Sequence, residues 1–312
     1  MAFFASLVSL VGAEGFLRWR DLADPPAFEA NAQYGYLMRP NQSASTRGHR
    51  FRINHAGLRG ADFTLPKPNG VFRIVFLGDS ITFGGGRIPD QDLFVNRAAL
   101  ILASSNHRQI EAINLSAPGW GIQNMAGYVA TNGLLDADAL VWVISSSDFR
   151  RPKSTLEENG FLEHKPWSRL IYATTHVFRF ARRSVDNGVP QRTDSDPLRQ
   201  NAHTLRRTLS QISNNNVACV VIAVPAAYEN AQSLADLNTF RSATASVSVP
   251  FTEVRPALQQ HRPEEMFLDG VHLSVDGHKV VSEAIVAFLQ QTVFHQTQNS
   301  IAPEIRNARG KI

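Results

Sequence analysis

Apolar residues gather in short runs that end abruptly at small or polar ones: Val71–Leu77 (VFRIVFL), Ile110–Leu115, Ala139–Ser145 (ALVWVIS) and Val217–Val224. Runs this short and this continuous predict strands covered on both faces of a sheet. Between them the apolar positions recur at helical spacing. Leu93, Val95, Ala98 and Ile101/Leu102 mark one face of a helix near Asp92–Ser104, and further helices are expected at Leu198–Ser213 and from Leu234 to about Ala245. Val281, Ala284/Ile285 and Phe288 repeat in the same way, so a last helix packs on the sheet. Strands alternating with helices predict an α/β domain in three layers, a parallel sheet between two layers of helices. A short segment at Val247–Val254 leads into the loop before the last helix.

The pattern weakens outside this core. Residues 1–20 contain Ala2–Ala13, AFFASLVSLVGA, a stretch too short for a membrane span and without the basic residues that precede a signal-peptide core. It reads as a truncated anchor or signal-like segment that attaches the chain to a membrane, or as a packed or frayed helix. Asp24-Pro25-Pro26-Ala27 breaks any helix, and residues 21–70, rich in Pro, Gly, Asn and Arg, read as a linker or cap. There Arg47, Arg50, Arg52 and Arg59 read as a solvated surface, ahead of a binding patch for an acidic glycan. Residues 71–292 hold the alternating core. Within it, residues 150–200 form a polar, proline-interrupted insertion with one helix inside Ser168–Arg183, either a surface helix or a lid. Residues 293–312 are a polar tail expected to fray.

Composition narrows the functional classes. Of 312 residues 43% are apolar and 19% charged, which describes a globular chain. The net charge of +4 comes from 31 basic and 27 acidic residues without a dense basic block, so nucleic-acid binding is not indicated. Cys219 is the single cysteine, which excludes an intrachain disulfide, and its place in an apolar run makes it a buried strand thiol. No histidine pair has metal-ligand spacing, and no cofactor is implied.

Chemistry concentrates where the first apolar run stops, at Gly78-Asp79-Ser80. Gly78 lets the chain turn sharply at the carboxyl edge of the sheet, where α/β proteins gather their ligands, and Ser80 stands on that turn. Alone, this tripeptide is equally a turn with a helix cap. Near the other end Asp269 precedes His272 by three residues in FLDGVHLS, just ahead of the last helix, which Ser274 can cap. A serine nucleophile needs a base, and that base needs an orienting carboxylate, so Ser80, His272 and Asp269 are the candidate catalytic set.

With the serine early and the Asp-x-x-His late, the chain resembles the SGNH or GDSL family of serine esterases and acyltransferases from about Asn54 to about Gln291. Asn54, Gly57 and Arg59 match a lead-in found in many bacterial members. The resemblance implies an α/β/α sandwich of flavodoxin-like strand order. It also implies an oxyanion hole built from the backbone of Ser80, from Gly119 in Ala117-Pro118-Gly119-Trp120, and from a third donor. The family pattern for that third donor is Gly-x-Asn-Asp. Here Ser145-Ser146-Ser147-Asp148 stands in its place, so Ser147 is an uncertain substitute, shorter than an amide.

Three functions follow: an esterase deacetylating a glycan or a small ester, an O-acetyltransferase acting on an exported polysaccharide, or a non-catalytic relative that binds glycan or scaffolds an assembly. The partner expected is an acylated carbohydrate or small molecule, and the place the cell envelope or periplasm, with the cytoplasm as the alternative.

Overall fold

The computed structural model describes residues 1–175, 196–215 and 217–295. Strands are numbered in chain order: β1 (Leu22–Asp24), β2 (Phe28–Asn31), β3 (Gly35–Met38), β4 (Gln42–Arg47), β5 (Arg50–Ile53), β6 (Phe72–Gly78), β7 (Ile110–Ser116), β8 (Ala139–Ser145), β9 (Ala218–Val224) and β10 (Phe251–Glu253). The last five form one parallel sheet in the order β10-β9-β8-β6-β7. Read from β6 as the first strand, this is the flavodoxin-like order 2-1-3-4-5, with β6 flanked by β7 and β8.

Every residue of β6 and of β8 is buried. Alternate side chains serve opposite layers, as the pleat requires. Val75 and Leu77 face a core shared with Trp142, Met125, Leu205 and Phe240, whereas Ile74 and Phe76 face Phe94, Leu102, Val281 and Ile285. The first layer contains the helices Ile122–Asn132, Pro197–Ser213 and Ala231–Ala245, and the second contains Phe94–Asn106 and Val275–Leu289. The chain therefore has the three-layer α/β/α architecture.

Residues 22–53 add an antiparallel sheet β1-β4-β5 and a hairpin β2–β3, whose Phe28, Tyr36, Met38, Phe51 and Ile53 join the first-layer core. Arg59 bridges this cap to the main sheet through backbone pairing with Ile53 and Asn114. Its burial corrects the reading of that arginine as surface: Arg59 is 2% exposed, whereas Arg50 and Arg52 are exposed. Its guanidinium donates to Phe83 O at 2.8 Å, Ile88 O at 2.6 Å, Gly85 O at 2.5 Å and Asp90 Oδ1 at 2.7 Å. It also lies over the rings of Phe51 and Phe83. A buried arginine survives only when its donors are spent in this way.

Helix Ala2–Trp19 is tied down near its end, where Glu14 accepts from Leu170 N (2.9 Å), Ser168 Oγ (3.0 Å) and Arg169 N (3.2 Å). The Leu170 amide foremost, with the other donors, outweighs burial and holds the Glu14 carboxyl down at about 2. Phe4, Leu7, Val8, Leu10 and Val11 stand exposed. No helix among the described residues is long and apolar enough to cross a membrane. Residues 169–175 are helical, while the rest of the helix expected up to Arg183, and the tail beyond residue 295, lie outside the described residues.

Candidate active site

β6 ends at Gly78, and Ser80 opens the short helix Ser80–Phe83. A Cβ on Gly78 would lie 2.1 Å from Thr82 Oγ1, so only glycine lets the turn close this tightly. Asp79 caps the helix by accepting from Ile81 N at 2.8 Å. The turn thus lifts Ser80, half-buried, onto the carboxyl edge of the sheet.

The loop Phe267–Ser274 delivers the other two groups. Asp269 Oδ1 accepts from Val271 N at 2.9 Å and His272 N at 2.8 Å, a side-chain turn that aims the carboxylate back at the imidazole. His272 Nδ1 lies 3.0 Å and 3.1 Å from the two Asp269 oxygens, and His272 Nε2 lies 3.1 Å from Ser80 Oγ. Burial pushes the Asp269 pKa upward, but the His272 and Val271 amides and the imidazole overcome it and leave the carboxyl at about 2. A charged carboxylate only accepts. Nδ1 therefore carries the proton, and Nε2 offers its lone pair to the Ser80 hydroxyl. Ser274 caps the last helix by accepting from Gly277 N at 3.0 Å, and Leu268 N donates to His272 O at 2.8 Å, so the loop has little freedom.

Gly119 has φ +79°, and a Cβ there would meet Asn159 Oδ1 at 2.5 Å and Tyr36 Oη at 2.8 Å. Both the conformation and the crowding demand glycine. The loop is clamped from the cap: Tyr36 Oη donates to Pro118 O at 2.7 Å, and Trp120 Nε1 donates to Tyr36 O at 2.9 Å. Sequence reasoning passed over Tyr36, which stands after Tyr34 and before Leu37 and Met38 in a segment that reads as a linker or cap. The backbone N–H groups of Ser80 and Gly119 donate to no acceptor among the described residues, so both remain available to a ligand.

Ser147, the uncertain third donor, lies beside Ser145. Its Oγ lies 2.6 Å from Ser145 Oγ, which in turn lies 3.1 Å from Asp148 Oδ2 and 3.3 Å from Asp79 Oδ2. Either hydroxyl can be the donor in the contact between Ser145 and Ser147. Burial first, and the neighbouring Asp79 second, push the Asp148 carboxyl well above the usual carboxylate range. Ser147 Oγ is thus engaged by a neighbouring hydroxyl and is also shorter than an amide. Ser147→Ala is expected to lower kcat by less than about tenfold, whereas loss of a working oxyanion donor costs about a hundred- to a thousandfold. Steady-state kinetics on one ester substrate checks this.

Cys219, in the middle strands, is 8% exposed, and burial raises its thiol to about 12, which suits a packing role. Among the described residues no cluster of three or more His, Cys, Asp or Glu could hold a metal ion.

Structural comparison finds a lipase/acylhydrolase from Enterococcus faecalis, 16% identical, covering 70% of this chain and 96% of its own, with a TM-score of 0.45. An acetylxylan esterase from Geobacillus stearothermophilus is 16% identical over 71% of this chain and 94% of its own, with a TM-score of 0.47. A two-domain esterase active on acetylated mannans is 13% identical over 71% of this chain and 50% of its own, with a TM-score of 0.48. No curated protein sequence matches the chain. The family profile described as GDSL-like Lipase/Acylhydrolase matches residues 74–285, from within β6 to the helix behind His272. That span carries both ends of the hydrogen-bonded serine–histidine–aspartate chain, and the protein belongs to this family of ester-hydrolysing enzymes.

Proposed function

We propose that the protein is a serine-dependent carboxylic-ester hydrolase that removes an acyl group, acetyl in the first instance, from a glycan or a small ester. The observation that carries this reading is the unbroken chain from Ser80 Oγ through His272 to Asp269. Ser80 Oγ attacks the ester carbonyl carbon as His272 Nε2 takes its proton. The tetrahedral oxyanion is met by the backbone N–H of Ser80 and of Gly119. The bond to the alcohol oxygen then breaks, and His272 returns the proton to that oxygen. Water repeats the sequence on the acyl-serine and restores Ser80.

His272 and Asp269 are 41% and 42% exposed, so the site is open at the protein surface. That openness suits an ester borne on a saccharide chain, which need not thread into a deep cavity. A sugar hydroxyl replacing water in the second half-reaction would make the same acyl-enzyme an O-acetyltransferase. Product analysis with and without an acceptor glycan separates the two.

The deciding experiment is labelling with a fluorophosphonate alongside hydrolysis of p-nitrophenyl acetate. Wild type is expected to label and turn over, and Ser80→Ala to do neither. Equal labelling of both proteins would remove Ser80 as nucleophile.

The outward Phe4, Leu7, Val8, Leu10 and Val11, with Trp19 beside Arg18 and Arg20 at the end of the same helix, support attachment at a membrane surface. Sedimentation with anionic vesicles is expected for the full chain and lost on deleting residues 1–13.

A further inference from the structure

Two arginines follow the β8 turn and point to different fates. Arg150 spends its guanidinium on Asp236, through Nε at 2.6 Å and Nη2 at 2.9 Å. Arg151 turns toward the oxyanion loop. Its Cβ, Cγ and Cδ all lie 3.3 Å from where a Gly121 Cβ would stand, and its Nη1 donates to Trp120 O at 3.1 Å. The guanidinium is thus anchored on the two residues directly after Gly119. It is half-buried, and among the described residues it forms no ion pair.

The neighbouring acids are already engaged. Asp148, fully buried, takes its hydrogen bonds from Ser145 N at 2.9 Å and Ser145 Oγ at 3.1 Å and none from the Arg151 side chain among the described residues, while burial and Asp79 push its pKa up against the pull of the Arg151 charge. Asp79 accepts from Ile81 N and Ser145 Oγ, Asp269 from the His272 loop, and Glu158 Oε2 from Thr155 N at 3.1 Å. The Arg151 backbone is also held. Asn201, 0% exposed, donates to Asp148 O at 3.1 Å, Phe149 O at 3.2 Å and Arg151 O at 2.8 Å. The result is a preorganised cation beside the oxyanion loop whose Nε–Nη2 edge is uncommitted. That edge is the side of a guanidinium that takes a carboxylate through two parallel hydrogen bonds.

We infer that Arg151 binds a carboxylate carried by the ester substrate, so that the site selects acidic over neutral acylated molecules. This deepens the esterase reading and rests on it. The carboxylate has two chemical sources, a uronic acid in the saccharide or the free end of a dicarboxylic acyl group. The protein presents the same cation to either.

Matched pairs test the inference: O-acetylated oligogalacturonate against O-acetylated xylo-oligosaccharide, and the p-nitrophenyl hemisuccinate against p-nitrophenyl acetate. Wild type is expected to favour the acidic member of at least one pair in kcat/KM by about ten- to a hundredfold, mainly through KM, as a charge-assisted bond implies. Which pair shows the preference identifies the source of the carboxylate. The preference is expected to shrink as sodium chloride rises from low to about 0.5 M. Arg151→Gln should collapse the acidic-to-neutral ratio, and Arg151→Lys should restore part of it. A purely structural clamp on Trp120 would lower both members of a pair equally.

Equal kcat/KM for acidic and neutral members in wild type, or an unchanged ratio in Arg151→Gln, overturns the inference. Should Arg151→Gln fail to fold, the wild-type ratio and its salt dependence still decide. Calorimetric binding of the two oligosaccharides to Ser80→Ala separates this inference from the esterase reading. Tighter binding of the acidic saccharide without turnover by wild type would retain Arg151 and reject hydrolysis, whereas turnover of both saccharides without a binding difference would do the reverse.

Discussion

Asp269→Asn is expected to fold normally and to lose about three to four orders of magnitude in kcat, because an asparagine amide presents a donor where His272 Nδ1–H needs an acceptor. Two features make the prediction strong. Both Asp269 oxygens lie within 3.1 Å of Nδ1, so the carboxylate alone fixes the tautomer that leaves Nε2 free for Ser80. The same carboxylate receives the His272 and Val271 amides, contacts that an asparagine carbonyl oxygen can keep, so the loop survives while its electrostatics change. Steady-state kinetics together with circular dichroism checks both halves.

The acid side of the pH profile follows from the lowered pKa. Asp269 remains charged until pH falls to about 2, well below the value of 3.8 for a free aspartate. Whatever stability this group lends is therefore present above pH 3.8 and lost between there and about 2. Loss of activity at pH 4–5 would accordingly not come from Asp269.

The second large effect concerns stability. Replacing Arg59 by Met is expected to cost about 3–5 kcal/mol, measured by urea unfolding. The side chain is 2% exposed, and its removal orphans the carbonyl oxygens of Phe83, Gly85 and Ile88 together with the Asp90 carboxylate. Buried acceptors without partners carry their full desolvation penalty. Burial lowers the Arg59 pKa more than Asp90 raises it, so the cation is itself held at a cost that its hydrogen bonds offset. Arg59 also grips the chain directly after the nucleophile helix. Protein that remains folded should therefore lose activity in proportion to the disorder of residues 84–90, a coupling that hydrogen exchange can follow.

How far the structure is legible in the sequence depends on whether the determining contact is local. β6 and β8 declare themselves because burial on both faces leaves no room for polar side chains. Ser80, Asp269 and His272 stand out because a strand end and a three-residue spacing are local patterns, and the structure brings the three together. Strand order is different in kind, since nothing within β6 says that β7 lies on one side and β8 on the other. Arg59 reads as surface among neighbouring arginines because its acceptors lie 24 to 31 residues further on. Tyr36 escapes notice for the same reason, as its partners Pro118 and Trp120 are 82 and 84 residues away. The Ser147 position carries a warning in the sequence, the missing amide. Only the geometry shows its hydroxyl tied to Ser145, a residue that also departs from the usual pattern.

Ser80 and His272 are 192 residues apart, and successive strands of the parallel sheet are joined by crossovers. Such non-local pairing is the slow kind to assemble, since each loop must close before its contacts reward it. During synthesis the nucleophile turn leaves the ribosome long before its base, and a chain stopped short of the Phe267–Ser274 loop holds a serine with nothing to activate it. Hydrolytic capacity therefore appears at the end of folding, all at once, and the recovery of esterase turnover after dilution from denaturant becomes a clock for completion of the whole domain.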